Sequence, residues 1–249
     1  MPVQLIDHIQ FLVLTLLFPF YTWNETRKYK LKYEQGLIEL NLIREYWITM
    51  ALLWGLCLAV LATWFSLNRP MIALGLNFDI PRLTHFLGAC GLALFGLIFA
   101  YAQLLLAKRS SDARQAFQTA LKEFDYLMPK NNQELRWFFA VSFTAGGCEE
   151  ILYRSFLIWY LSQFTGPVSA LLLSSLAFGL AHSYQGISHV PRTGIVGLFL
   201  GSLFLLSGSI WLSILMHFLI DVIGGKTIVI AFEDQNHDAE VAQTPESNT

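Results

Sequence analysis

Seven apolar stretches divide this chain, at residues 8–23, 46–67, 83–107, 135–164, 167–182, 191–206 and 209–232. They constrain the fold more than any other feature. A bilayer core of about 30 Å is crossed by roughly 20 apolar residues in a helix. Backbone groups in hydrocarbon must be satisfied within the segment itself, which for stretches of this length means helices. The chain is 55% hydrophobic and 14% charged, with a mean hydropathy of +0.49, so it has too little polar surface to cover a water-soluble globule. The expected fold class is all-α, a polytopic transmembrane helix bundle of about seven spans, six to eight given the shorter stretches. Gly146-Gly147 adds to that range by interrupting one of the longer ones.

Lysine and arginine set the orientation. Arg27, Lys28, Lys30, Lys32 and Arg44 follow the first stretch, and Lys108, Arg109, Arg114, Lys122, Lys130 and Arg136 follow the third. Only Arg69 and Arg82 lie between the second and third. Basic loops stay cytoplasmic, so the N-terminus is expected outside and the C-terminus inside. Residues 1–7 lack the basic region of a signal peptide. The second basic loop carries a helix of its own, with an N-cap at Ser111-Asp112 and with Phe117, Ala120, Leu121, Phe124 and Leu127 at helical spacing before Pro129. Two readings stand open for it: an amphipathic helix on the cytoplasmic leaflet, or a helix packed on neighbouring loops. The chain thus divides into N-terminal helices and cytoplasmic loops (1–134), a helical core (135–232) and a short acidic tail (233–249) expected to be disordered.

A net charge of −2 argues against a nucleic-acid partner. Cys57, Cys90 and Cys148 all sit in apolar segments without paired spacing, which points to free buried thiols rather than disulfides or a zinc cage.

The core breaks the apolar pattern in three places. Glu149, Glu150 and Arg154 interrupt the fourth stretch, His182 closes the fifth one turn after Phe178, and His217 and Asp221 share a face of the last. A charge at the bilayer centre costs at least about 2.5–3.5 kcal/mol, and these groups are those of acid–base chemistry. Glu150 precedes Arg154 by four residues, the favourable order for a helical ion pair. That pairing occupies Glu150 and leaves Glu149, about 100° around the helix, free for other work. A purely structural reading has both glutamates bridging helices. Gly146 and Gly147 either admit a close helix or leave room for water, and both roles are routine in membranes. A single membrane histidine is often a packing residue, whereas a His–carboxylate pair can orient an imidazole for catalysis or for a metal. His8, His85, His189 and His237 lie near span ends or in loops and are given no role.

Taken together, Glu-Glu-x-x-x-Arg, Phe-x-x-x-His and His-x-x-x-Asn/Asp on successive helices resemble the CPBP family. That family includes the CAAX prenyl endopeptidases of the Rce1 type and bacterial abortive-infection and bacteriocin-immunity-like proteins. The resemblance covers about residues 135–232, with all three motifs complete. It implies a glutamate-dependent intramembrane endopeptidase cutting a peptide bond near the membrane surface. Glu149 with His182 would activate water, and His217 and Asp221 would stabilise the oxyanion. Glu150 would complete the catalytic set, with Arg154 and Phe178 in support. The prenyl peptidases carry Asn where this chain has Asp221. An ionised Asp cannot donate to an oxyanion, so Asp221 is expected either to be protonated or to orient His217, and the second role is preferred. The partners implied are the lipid bilayer and a peptide or protein substrate, lipidated or membrane-anchored, with a bacterial inner membrane as the expected location.

No His-Glu-x-x-His motif and no serine or aspartyl intramembrane-protease signature is present. No cofactor is expected. A zinc ion on Glu149, His182, His217 and Asp221 is the alternative, because two imidazoles with carboxylates suit that metal. A reading from another class is a non-catalytic immunity or scaffold protein, or a proton-coupled transporter, since buried Glu and His also build proton relays.

Overall fold

The computed structural model describes residues 1–78 and 82–243, with side chains described as far as residue 232. Eight helices follow one another, with no strand among the described residues. They are α1 (Leu5–Glu34), α2 (Leu42–Ser66), α3 (Leu83–Arg109), α4 (Ser111–Leu121), α5 (residues 132–162), α6 (Pro167–Ala181), α7 (Val190–Ser207) and α8 (Trp211–Gln243). The fold is an all-α polytopic bundle.

All seven apolar stretches are helical, but they differ in how a membrane would accept them. Five helical segments are long and apolar enough to cross one by length and composition: Leu5–Glu34, Leu42–Ser66, Leu83–Arg109, Ile187–Ser207 and Trp211–Phe232. Large apolar side chains such as Leu16, Leu58, Phe65, Phe95 and Phe99 are exposed on them, as a lipid-facing surface requires. The remaining two stretches fall short for separate reasons. At 15 residues, α6 reaches only about 22 Å. The interior of α5 holds Glu149, Glu150 and Arg154, and every residue from 152 to 160 is buried. This helix is enclosed by protein, with α2 and α8 packed along its first half and α6 along its second.

Local chemistry sets the ends. The side chains of Asn41, Ser110 and Asn131 accept from the backbone N–H of Arg44, Ala113 and Glu134, starting α2, α4 and α5. The cap of α4 is therefore Ser110, one residue before the Ser111-Asp112 pair. Pro167 opens α6, where its missing N–H costs nothing. Helix α4 rests on α3 and α8, and Gln118 Nε2 donates to the Ala231 carbonyl at 2.5 Å. Leu121, Phe124 and Tyr126 cluster with Ile228 and Phe232. The segment packs on helices rather than on neighbouring loops. At the C-terminus, α8 continues to Gln243, past the expected start of the tail at Glu233, because neither Gly nor Pro occurs between 226 and 243. The end of that tail, residues 244–249, lies outside the described residues.

Close helix crossings position the core. A Cβ on Gly179 would lie 2.6 Å from the Val190 carbonyl, so α6 and α7 meet backbone to backbone there. One on Gly146 would lie 3.2 Å from the Ile214 carbonyl of α8, while Gly147 has open space around it. The two adjacent glycines divide the roles proposed for them: Gly146 admits a helix, and Gly147 leaves room.

Candidate active site

Helix α5 changes its winding at the two glutamates. It runs as an α-helix over Asn132–Glu149, as a π-helix over Glu150–Leu157 and as an α-helix again over Ile158–Ser162. π segments are rare and concentrate at functional sites. The wider turn brings both carboxylates to the same histidine. Glu150 Oε1 lies 2.7 Å from His217 Nδ1 and Glu149 Oε2 lies 3.8 Å from its Nε2. Glu149 therefore does not stand apart from Glu150, as a uniform α-helix would have it.

Each imidazole has one nitrogen committed. His182 Nδ1 is 2.8 Å from the Phe178 carbonyl, which can only accept, so Nδ1 carries the hydrogen. Its Nε2 lies 3.8 Å from Glu149 Oε2. His217 Nδ1–H donates to Glu150, turning its Nε2 toward Glu149 and toward Asp221 Oδ2, also at 3.8 Å. The partner that orients His217 is thus Glu150 and not Asp221, which faces the opposite ring nitrogen. Glu149, Glu150 and His217 are buried, while His182 and Asp221 are half-buried.

Arg154 and Phe178 form the floor. Arg154 Nη1 lies 3.0 Å from Glu150 Oε1, and its guanidinium sits 4.0 Å above the Phe178 ring. That ring also packs against His182, His217 and Tyr153. The π segment is pinned by two short bonds: Ser174 Oγ donates to the Tyr153 carbonyl and Ser155 Oγ to the Leu74 carbonyl, both at 2.5 Å. A second π segment, Val13–Leu17 in α1, faces it, and Tyr153 Oη donates across to the Leu14 carbonyl at 3.5 Å.

All seven site residues read from the sequence, Glu149, Glu150, Arg154, Phe178, His182, His217 and Asp221, meet in one place. A cavity of about 490 Å³ is lined by Glu149 and His182 of this cluster, by Tyr153 and Tyr184, and by Lys28, Lys32 and Arg44 together with Glu25, Glu39 and Glu45. Its side walls include Phe18, Ile48, Leu52 and Leu53 from α1 and α2. Tyr184, absent from the sequence reading, lies on the 3-10 turn Ser183–Gln185, its ring centroid 5.8 Å from that of His182. Burial, with the Glu149 and Asp221 charges adding to it, pushes its phenol up to about 12. A polar aromatic two residues beyond His182 was the available signal. Among the described residues, no group of three or more His, Cys, Asp and Glu could hold a metal ion. Cys57 and Cys148 are buried free thiols, and Cys90 is a half-buried one.

An enclosed carboxylate–histidine cluster thus sits among helices that are long and apolar enough to cross a membrane, as in an integral membrane protein. Residues 131–223 match the family model of the Rce1-like proteins, type II CAAX prenyl endopeptidases. This segment, which holds every residue of the cluster, is similar to that family, and the match supports an intramembrane CAAX-type protease. Neither a curated protein nor a solved structure matches the chain.

Proposed function

We propose that the chain is a glutamate-dependent intramembrane endopeptidase with residues 135–232 as its catalytic core. The observation that carries this reading is the convergence of the Nε2 atoms of His182 and His217 on Glu149 Oε2, each at 3.8 Å. Such separations exceed a direct hydrogen bond and suit one bridging water. A water there donates one hydrogen to Glu149 and one to His182 Nε2. As its oxygen bonds to the scissile carbonyl carbon, Glu149 takes the proton and the carbonyl electron pair moves onto oxygen. When the carbonyl re-forms, the C–N bond breaks and the proton passes from Glu149 to the leaving amine, so Glu149 ends as it began. His217 Nε2 and Asp221 line the side on which the oxyanion develops, and they donate to it only while the pair holds an extra proton. Glu150 holds His217 in the tautomer this needs, and Arg154 holds Glu150.

The substrate class that the family match favours is a lipidated C-terminus. The cavity has apolar lining from Phe18, Ile48, Leu52 and Leu53 and charged lining of both signs, from Lys28, Lys32 and Arg44 and from Glu25, Glu39 and Glu45, a mixture that can receive an amphiphile of that kind. In this reading the basic loops lie in the cytoplasm and the cut falls near that face of a bacterial inner membrane. The reading uses no metal. The test is cleavage of a farnesylated, internally quenched CAAX reporter by detergent-purified protein, beside a library of membrane-protein peptides. Wild type should cleave with or without a chelator, and Glu149→Gln should lose about 10²–10⁴-fold in rate. Cleavage that Glu149→Gln leaves intact sinks the glutamate role. Cleavage that a chelator abolishes and zinc restores moves Glu149, His182, His217 and Asp221 to metal ligands instead.

A further inference from the structure

The site is rich in acceptors and poor in donors. Glu149 and an ionised Asp221 only accept, and both histidines spend Nδ1–H on fixed partners, the Phe178 carbonyl and Glu150. A tetrahedral intermediate needs hydrogen-bond donors already aimed at its oxygen. Tyr184 lines the same cavity, carries a neutral O–H, and has its ring centroid 5.8 Å from that of His182, whereas the Tyr153 hydroxyl is given to the Leu14 carbonyl. Gln185 Nε2 donates to its phenol oxygen at 3.4 Å, which leaves the phenol hydrogen to point elsewhere.

The turn that carries Tyr184 is braced from outside the core. Gly186 ends it at φ +116°, in the left-handed region, and a Cβ there would collide with the Glu123 carboxylate. Glu123 also accepts from Ser188 Oγ at 3.2 Å, and its carbonyl accepts from Lys30 Nζ at 3.0 Å. On the next turn, Phe124 packs edge-on against His189. The segment between α4 and α5 therefore braces the C-terminal side of the Tyr184 turn and is itself tied to α1 through Lys30, an arrangement that helps hold a side chain in one place.

We propose that Tyr184 is a further catalytic residue, donating its phenol O–H to the oxyanion of the tetrahedral intermediate. The assignment rests on the endopeptidase reading above. No proton transfer is involved: the phenol keeps its hydrogen throughout and only strengthens its hydrogen bond as charge develops. Donation by Tyr184 is what the acceptor-rich site needs when Asp221 is ionised.

The experiment is a kinetic series on the full-length, detergent-purified protein with the farnesylated CAAX reporter, comparing wild type, Tyr184→Phe, Tyr184→Phe/Asp221→Asn and Glu149→Gln. Tyr184→Phe keeps the ring and the cavity wall, so kcat should fall about 100-fold, as for the loss of one oxyanion donor, with KM within about twofold of wild type. Asp221→Asn places an amide donor in the same site and should return about tenfold of the lost kcat in the Tyr184→Phe background. A Tyr184→Phe protein with wild-type kcat overturns the assignment. So does a fall that appears only in KM, or one that Asp221→Asn does not relieve. Glu149→Gln separates this inference from its foundation. If Glu149→Gln still cleaves at the wild-type rate, the endopeptidase mechanism fails; if it is inactive while Tyr184→Phe is not impaired, only the Tyr184 role fails.

Discussion

Two carboxylate–guanidinium pairs are buried in this bundle, and they are built to opposite specifications. Toward one end, Arg69 grips Asp7 through two parallel bonds of 2.7 and 2.6 Å. The Gln4 N–H donates to the same carboxylate, and the Pro2 carbonyl accepts from Arg69. The guanidinium also lies over Trp64 and Trp159, and both carboxylate oxygens of Asp7 and both Nη atoms of Arg69 have partners. In the core, Glu150 and Arg154 meet at 3.0 Å, yet Glu150 Oε2, Arg154 Nη1 and the neighbouring Glu149 Oε2 are buried without a hydrogen-bond partner among the described residues. Burying polar atoms this way costs about 1–3 kcal/mol each. A fold that can close one pair completely leaves the other open where the histidines converge. The difference separates a lock from a site.

The largest effect should come from disturbing the open pair. Glu150→Ala removes the acceptor that fixes the His217 tautomer and the counter-charge of Arg154. The rate should fall about 10²–10⁴-fold per folded molecule, since a mis-set imidazole no longer faces Glu149. Steady-state cleavage of the CAAX reporter, normalised to the monodisperse fraction in detergent, reads this directly. Retention of wild-type kcat would show that the two pairs are alike and that the open one is merely structural.

The closed pair should respond in the other currency. Asp7→Asn leaves Arg69 buried without a counter-charge and should cost about 3–5 kcal/mol of stability. Thermal unfolding in detergent should show a large fall in midpoint, with kcat per folded molecule unchanged. If activity per folded molecule fell as far as stability, the outer pair would be coupled to the site rather than separate from it.

A smaller effect is expected at the helix crossing beneath the site. Gly179→Ala sets a Cβ 2.6 Å from the Val190 carbonyl of α7 and should cost about 1–3 kcal/mol. Gly147→Ala meets nothing within 4 Å and should be tolerated or slightly stabilising, by up to about 1 kcal/mol of helix propensity. Parallel unfolding curves for the two variants check the assignment of these glycines.

Local composition carries part of this architecture and not the rest. Helices were legible because hydropathy and length are local properties, and so was the Glu150–Arg154 pairing at four-residue spacing. The number of free-standing spans was harder, since α5 owes its place to enclosure by its neighbours rather than to its own hydropathy. The π segment left no local trace: Glu150–Leu157 has no Gly or Pro, and the winding is set by Ser174 and by the chain packed around it. Without it, adjacent carboxylates read as diverging, so nothing in the sequence brings Glu150 to His217, while Asp221 one turn away is the visible partner. The Asp7–Arg69 lock joins residues 62 apart in sequence, and no periodic pattern links them. The seven site residues were legible as chemistry out of place in apolar helices; Tyr184 was not, because a tyrosine in a turn is unremarkable until its cavity is known.

The smallest test concerns how the open geometry is maintained. Where the lock concentrates its strength in one bidentate pair, the π segment is held by single bonds from neighbouring elements. Ser174→Ala removes the donor to the Tyr153 carbonyl, leaves that acceptor buried, and should cost about 1 kcal/mol. It should also lower kcat severalfold, because a π turn freed of its pin can rewind toward α and draw Glu149 away from the two Nε2 atoms. Thr63→Ala is the matched control near the lock: it removes a 2.8 Å bond from Gln10 Nε2, which retains the Ala59 carbonyl at 3.1 Å. Stability there should change by less than about 0.5 kcal/mol, with no change in kcat. A Ser174→Ala protein that loses stability yet cleaves at the wild-type rate would mean that the π winding is intrinsic to α5, and that the site stays open without help from α6.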